Sequence, residues 1–538
     1  MKKIPLAILL LGLGLLAVFF TFYNPSGFDC LNADEIAHSY NAYSILKTGG
    51  DEHGAILPLR LKSFDDFKLP LYAYLTVPFI KIFGLNDLST RIVANLAGIS
   101  IVFVMFFLTR LISKNRPTSL VAAFLTAVSP ALYLLSRQAH EGVLASLMIL
   151  ISLFFLVKDW EKPSFKNLLL TDIFICLATF AYHTGRIFLI FVVCLQIYML
   201  IKKRLAIKTK VFYLAIILMA LGLPFLTDLN YSANRVNNLF FTKNPGFQMR
   251  ISEYLNEHPL RLWHNKLVAS VSELTNRYFS QISPQFLFIN GDSNYRFGLP
   301  DLNLTTPIEY LMFFIGLYYL FRNKQRHRYL LLGLFLVAPL NNAFTWQESS
   351  LNRSQMLFFP FFMIAAYGLC CLYQDLKKKG AAIFLVTVTV FLLLFFLVKS
   401  WDIYLFHYPK KAVVQRAWQC GYKQMAEYVE NNYGKYNRFV ISQRLGQPYI
   451  FLLYYLKYDP LRYQKQPKQL SLPDGYGFTQ VEKFDKFDFR FGFDKTYTKT
   501  AYIGYPDQFN DWPIDYAAIK KIKLKDSNEE MFWIYESK

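Results

Sequence analysis

Long apolar runs alternate with short polar loops over most of this chain. Apolar stretches fall at about residues 4–23, 92–112, 118–135, 142–157, 167–184, 187–201, 211–227, 307–321, 329–345, 355–373 and 381–399. A helix of about 20 apolar residues crosses a hydrocarbon core about 30 Å thick. Lipid offers the backbone no hydrogen-bond partner, so such runs must be helices there. The pattern predicts about eleven transmembrane helices. Three longer segments interrupt it, at residues 24–91, 228–306 and 400–538. In the last one the period changes. Residues 438–442, 499–505 and 531–535 alternate as strands, and 449–458 reads as an apolar helix or strand. The expected architecture is an α-helical polytopic membrane domain over 1–400, followed by a small α/β domain over 401–538.

Charge gives the orientation. Lys2 and Lys3, Lys114 and Arg116, Lys158, Lys162 and Lys166 all fall in alternate loops. So do Lys202, Lys203, Arg204, Lys208 and Lys210, then Arg322, Lys324, Arg326 and Arg328, then Lys377, Lys378 and Lys379. Only Asp159, Glu161 and Asp375 interrupt these runs. Basic loops stay in the cytoplasm, so the N-terminus is expected inside, and the first loop (24–91), the middle loop (228–306) and the tail outside. The formal net charge of +21 is then an orientation signal rather than a sign of a nucleic-acid partner. A content of 54% hydrophobic residues and a mean hydropathy of +0.25 fit the same class. Met1-Lys2-Lys3 and the run that follows resemble a signal peptide, but no small-x-small site closes it, so it is read as an uncleaved first span. Cys176, Cys194, Cys370 and Cys371 lie in spans. Cys30 and Cys420 share the outer side, where a disulfide between them is open, and no C-x-x-C metal spacing occurs.

The first outer loop carries the densest chemistry. From Asp34 to about Lys47 the pattern is helical, with Ile36, Tyr40, Tyr43 and Leu46 on one face and Asp34, His38 and Asn41 on another. Gly49-Gly50 ends it. A helix so divided is expected to lie in the membrane interface, with Asp34 at headgroup level. Capping by Asn32 or Asp34, with Glu35 favoured by the helix dipole, is the ordinary explanation of the acids. A second acidic pair and a lysine, Asp65, Asp66 and Lys68, and the apolar re-entry over 69–75 point further. Nucleotide sugars and ATP are cytoplasmic. A transferase acting outside therefore needs a lipid-linked donor, whose phosphate leaving group needs cations and whose acceptor needs a general base.

Asp34-Glu35 after the first span, Lys68-Leu69-Pro70-Leu71-Tyr72, and Arg91 opening the second span resemble the GT-C superfamily. The likeness is to glycosyltransferase family 39, the protein O-mannosyltransferases and aminoarabinose transferases, and it covers about residues 1–400. It implies transfer of a sugar from a polyprenyl-phosphate carrier with inversion at the anomeric carbon. It also implies Asp34 as base, Glu35 as its support or an acceptor ligand, and Lys68 beside the carrier phosphate. Leu69 departs from the family, which often has a second proline there.

Further outward candidates for substrate binding come from the residues alone. They are Asp66, Arg137 and Glu141, His183 and Arg186, and Arg353 at the head of a span. An i, i+4 ion pair, interfacial anchoring and snorkelling are the respective alternatives for the last three groups. Residues 290–296 read as a surface turn or an acceptor-recognition loop. The reading is a glycosyltransferase of the cytoplasmic (inner) membrane, acting on a glycan, lipid or protein acceptor, with membrane lipid as its other partner. No cofactor is required. A divalent cation near His53, Asp65 and Asp66 has no ligand spacing behind it. The rival readings are a transporter or flippase, which would carry ionisable residues at mid-membrane, and a polymerase or ligase of lipid-linked surface glycan.

Overall fold

The computed structural model describes residues 5–23, 30–64, 66–202, 207–228, 240–243, 245–257, 262–300, 302–345, 347–378, 380–444, 446–472, 479–525 and 527–537. Two compact units emerge, each discontinuous in sequence. One joins Met1–Tyr23 to Ala94–Ile403; the other joins Asn24–Val93 to Tyr404–Lys538.

In the first unit a helix occupies every predicted span. Among the described residues six helices are long and apolar enough to cross a membrane, or seven if a bent pair counts as one span. This is a multi-pass membrane protein. Leu6–Phe22 and Phe165–Ala181 have 17 residues each, about 25 Å of helix at 1.5 Å per residue. The bent pair, Arg116–Val128 and Pro130–Ser136, turns by 52°. Pro130 has no N–H to continue the first helix, and Ser129 Oγ caps the second at Ala131 N, 3.2 Å away. Pro307–Arg322 and Leu351–Lys378 cross at glycines. A Cβ on Gly316 would strike the Ile364 carbonyl, and one on Gly368 would strike the Met312 carbonyl. Small residues let helix backbones meet where lipid gives no hydrophobic drive. The spans are not wholly free of charge: Asp172 is buried and accepts a hydrogen bond from Gln196 Nε2 at 2.8 Å.

The second unit is built on a seven-stranded sheet. A separate two-stranded hairpin pairs β1 (Leu61–Ser63) with β2 (Asp66–Lys68). The sheet comprises β3 (Arg438–Ile441), β4 (Gln469–Leu470), β5 (Val481–Phe484), β6 (Phe487–Asp488), β7 (Thr500–Gly504), β8 (Lys520–Lys523) and β9 (Glu530–Glu536). Their order is β4-β5-β6-β3-β7-β9-β8, with β3 parallel to β6 and to β7 and the other pairs antiparallel. Residues 449–458 resolve as a helix, Pro448–Tyr455, whose Tyr449 to Tyr454 are all buried. The same core takes in Leu31, Ile36, Ala37 and Tyr40 from the first loop, with Met425, Phe439, Ile441 and Phe451 from the tail.

That shared core corrects one expectation. The Ala33–Thr48 helix does not lie half-immersed in an interface. Both of its faces are covered. His38 packs on the Tyr72 ring at 5.3 Å, and the Asn41 amide reaches Glu52 at 3.3 Å. Partners within the first loop bury the face that looked polar, and the tail reaches the other face, where Tyr40 donates to the Tyr458 carbonyl. Gly49, at φ +75°, ends the helix in the left-handed region where glycine is at ease. Cys30 and Cys420 form a disulfide, with Cα atoms 5.2 Å apart.

Candidate active site

Asp34 sits in the first turn of its helix, and the turn is closed by a reciprocal cap. Asn32 Oδ1 accepts from Asp34 N at 3.0 Å and Glu35 N at 3.2 Å. The Glu35 carboxylate accepts from Asn32 N at 3.1 Å, completing a capping box. The cap fixes where both acids point. Asp34 turns outward and keeps a side chain 53% exposed, whereas Glu35 is buried at 2%.

Their partners differ accordingly. Lys68, at the end of β2, places Nζ 2.8 Å from Asp34 Oδ1. The lysine is 9% exposed and its ammonium lies 4.9 Å from the Phe64 ring centroid, so its stem and ring wall one side of the carboxylate. Glu35 receives a bidentate guanidinium: Arg91 Nε to Oε1 at 2.8 Å and Nη2 to Oε2 at 3.0 Å. Arg91 Nη2 also donates to the Cys30 carbonyl at 2.9 Å. Charge-assisted, forked hydrogen bonds of this kind hold position as well as charge. Chemically, the arrangement offers one solvent-facing carboxylate beside one ammonium, on a capped helix turn. Asp66 belongs to β2, two residues before Lys68; its side chain, and Asp65, lie outside the described residues.

The remaining predicted residues belong to the first unit, at the ends of its helices. Arg137 caps the C-terminus of Pro130–Ser136, and Glu141 begins Glu141–Glu161. They do not share one helical turn, because the chain breaks between them. His140 caps the new helix, accepting from Gly142 N at 3.0 Å. His183 lies in the turn before Thr184–Lys202, and Arg186 in that helix's first turn. Arg353 donates to Thr345 Oγ1 at 2.7 Å.

Asn341 connects two of these places. Its amide donates to Thr184 Oγ1 at 2.6 Å and to the Arg353 carbonyl at 2.8 Å. A second link joins Gln138 Nε2 to the Arg296 carbonyl at 2.9 Å. The 290–296 segment is not a plain surface turn. Asp292 is 1% exposed and accepts from Leu351 N and from Asn294 N. Burial pushes its carboxyl up to about 6, against the opposing pull of those two amides and Arg353.

Sequence reasoning noted Arg91 only as a family landmark and passed over Gln419, which accepts the Ala33 N–H at 2.8 Å. No local signal marks either role. The partner of each lies 56 or 386 residues away.

Residues 68–227 match the family model described as dolichyl-phosphate-mannose-protein mannosyltransferase. No curated protein matches the chain in sequence. Among solved structures, ArnT from Cupriavidus metallidurans bound to undecaprenyl phosphate is 11% identical, with a TM-score of 0.54 over 98% of this chain and 97% of that one. The same protein in its apo state is 10% identical, with a TM-score of 0.53 and the same coverage. An oligosaccharyltransferase of Archaeoglobus fulgidus in its apo form is 13% identical, with a TM-score of 0.47 over 84% of this chain and 64% of that one. The chain shares the fold of ArnT. The similarity to the mannosyltransferase family model lies in residues 68–227.

Proposed function

We propose that this protein transfers a sugar from a polyprenyl-phosphate carrier to a hydroxyl or amine of a glycan, lipid or protein acceptor, on the outer face of the cytoplasmic membrane. The carrying observation is the exposed Asp34 carboxylate, held on a capped helix with the Lys68 ammonium 2.8 Å away. Asp34 takes the acceptor proton as the acceptor oxygen or nitrogen bonds to the anomeric carbon. The bond from that carbon to the phosphate oxygen breaks, and the carrier leaves as a phosphate monoester. A single displacement inverts the anomeric centre. The departing phosphate gains a negative charge, which a nearby cation stabilises more in the transition state than in the ground state. Lys68 is the cation beside Asp34 in this reading; Arg137, His183, Arg186 and Arg353 are proposed for donor binding, with Asp66 and Glu141 on the acceptor or donor hydroxyls. Glu35, enclosed by Arg91 and Asn32, supports Asp34 and leaves the acceptor to it.

The domain reading that goes with this assigns catalysis to residues 1–400 and a supporting role outside the membrane to 401–538. The Cys30–Cys420 disulfide supports an extracytoplasmic position, since disulfides persist in oxidising compartments. Basic loops between spans support an N-terminus inside. Support for the donor class comes from the family description and from the undecaprenyl phosphate bound to the ArnT relative.

The test is turnover. Purified protein is supplied with polyprenyl-phosphate sugars, and released carrier phosphate is measured. Asp34→Asn should lose roughly 10²–10⁴-fold in rate, the range a positioned general base contributes. Lys68→Ala should fall steeply as well. Equal rates in all three proteins would remove the assignment.

A further inference from the structure

We propose that Gln419, in the tail, is a positioning residue for Asp34, and that the tail thereby completes the catalytic turn of the first loop. The inference rests on the reading of Asp34 as base.

Four backbone N–H groups open any helix without an internal partner. In the Asp34 helix all four are taken. Asn32 Oδ1 accepts two of them, from Asp34 and Glu35. The Asn32 N–H donates to the Glu35 carboxylate at 3.1 Å. The remaining one, on Ala33, goes to Gln419 Oε1 at 2.8 Å. A closed helix end has no N–H left for a carrier phosphate, so side chains must bind that phosphate. The caps instead fix the backbone from which Asp34 projects.

The chain accepts strain to put a glutamine here. Gln419 has φ +58°, a left-handed conformation that glycine adopts freely and a glutamine does not. The next glycine, Gly421, also has positive φ at +98°. Here the left-handed backbone carries a side chain that caps Ala33. Space is cleared for it as well. Gly446 has φ +135°, and a Cβ there would collide with Gln419 Nε2. The two flanking residues grip the same stretch of the first loop. Cys420 is joined to Cys30. The Trp418 ring lies 5.7 Å from the Arg91 guanidinium, which in turn holds Glu35 and the Cys30 carbonyl. Of three consecutive tail residues, Cys420 and Gln419 thus hold residues 30–35 directly, by a covalent bond and a cap, and Trp418 holds them through Arg91.

Gln419→Gly separates the roles. Glycine suits the backbone at φ +58°, so folding is spared while the cap is lost. The full-length variant should melt within a few degrees of wild type. Its turnover number should drop on the order of tenfold, with the donor KM within about twofold, because a small misplacement of a reacting group acts on the chemical step. Gln419→Glu restores an acceptor to the Ala33 N–H and should recover most of the turnover. Its added carboxylate near Asp34 disfavours ionisation of that acid, so the acid limb of the pH–rate profile should move to higher pH. Wild-type turnover in Gln419→Gly, or an unmoved acid limb in Gln419→Glu, overturns the proposal. Asp34→Asn in the same assay separates this failure from a deeper one. If that variant turns over like wild type, the base assignment itself has failed, and the positioning role falls with it.

Discussion

Glu35 shows how much a single buried carboxylate depends on its neighbours. It is 2% exposed, and Arg91 is its bidentate partner at 2.8 and 3.0 Å. Removing one member of such a pair leaves the other charge buried without its counterion, at a cost of about 3–5 kcal/mol. Glu35→Gln keeps an acceptor for the Asn32 cap but strands Arg91. A markedly lower melting temperature in detergent is expected, with a smaller further loss when Arg91→Gln is added, because the two changes remove one shared interaction. Asp292 gives a pH test. Its folded pKa, about 6, lies above the ordinary aspartate value near 3.9, so between those values the folded state binds more protons than the unfolded. Stability contributed by this group therefore falls as pH rises from about 4 to 6 and is level above. Melting curves of wild type minus Asp292→Asn should show that slope; a flat difference would refute it. At this scale the sequence puts Asp34 and Lys68 on one loop, and the family resemblance implies Lys68 beside the carrier phosphate; the structure sets its Nζ 2.8 Å from Asp34 Oδ1. The sequence could not reach Arg91 as the counterion of Glu35, because nothing in a linear chain says which buried acid a given arginine will meet.

Elements were legible where one physical rule governs them. The predicted spans became helices, because lipid-embedded backbone has no other choice, but two of them are broken: 118–135 at Ser129–Pro130, and 329–345 into Arg328–Val337 and Leu340–Ala343. The strands β3, β7 and β9 form where the sequence predicts them, although β7 is buried at every position rather than alternating. The Asp34 helix was misjudged where two rules competed. Its Ile36–Tyr40 face and Asp34–His38–Asn41 face read as amphipathic, yet Asn41 and Glu52 satisfy each other inside the core. The spacing of Arg137 and Glu141 predicts one helical turn, and the His140 cap divides it. The middle loop supplies a test of its own. Around Lys266–Ser280, Leu262, Trp263, Leu267, Val271 and Phe279 are 71%, 62%, 75%, 58% and 57% exposed. So much apolar side chain on an amphipathic helix beside membrane spans suits the headgroup boundary. Trp263 fluorescence should be quenched by brominated lipid in vesicles; quenching only by soluble iodide would place the helix in water.

The molecule as a whole divides in a way hydropathy alone does not give. The first loop and the tail, separated by residues 94–403, make one compact unit. A chain cut after residue 403 leaves Leu31, Ile36 and Tyr40 without the tail side chains that cover them. Such a truncation should vanish from membranes or run as aggregate in detergent chromatography, although all its spans are intact. The disulfide adds an order of events. Cys30 waits for a partner 390 residues downstream. At about 5–20 residues per second, ribosomes need roughly 20–80 s to make that stretch. During that time a reactive thiol stands ready for the wrong mate. If the disulfide lies outside the cytoplasm, as proposed, faithful biogenesis calls for a thiol-guarding or bond-shuffling helper on that side, and cells stripped of one should accumulate mispaired, short-lived chains.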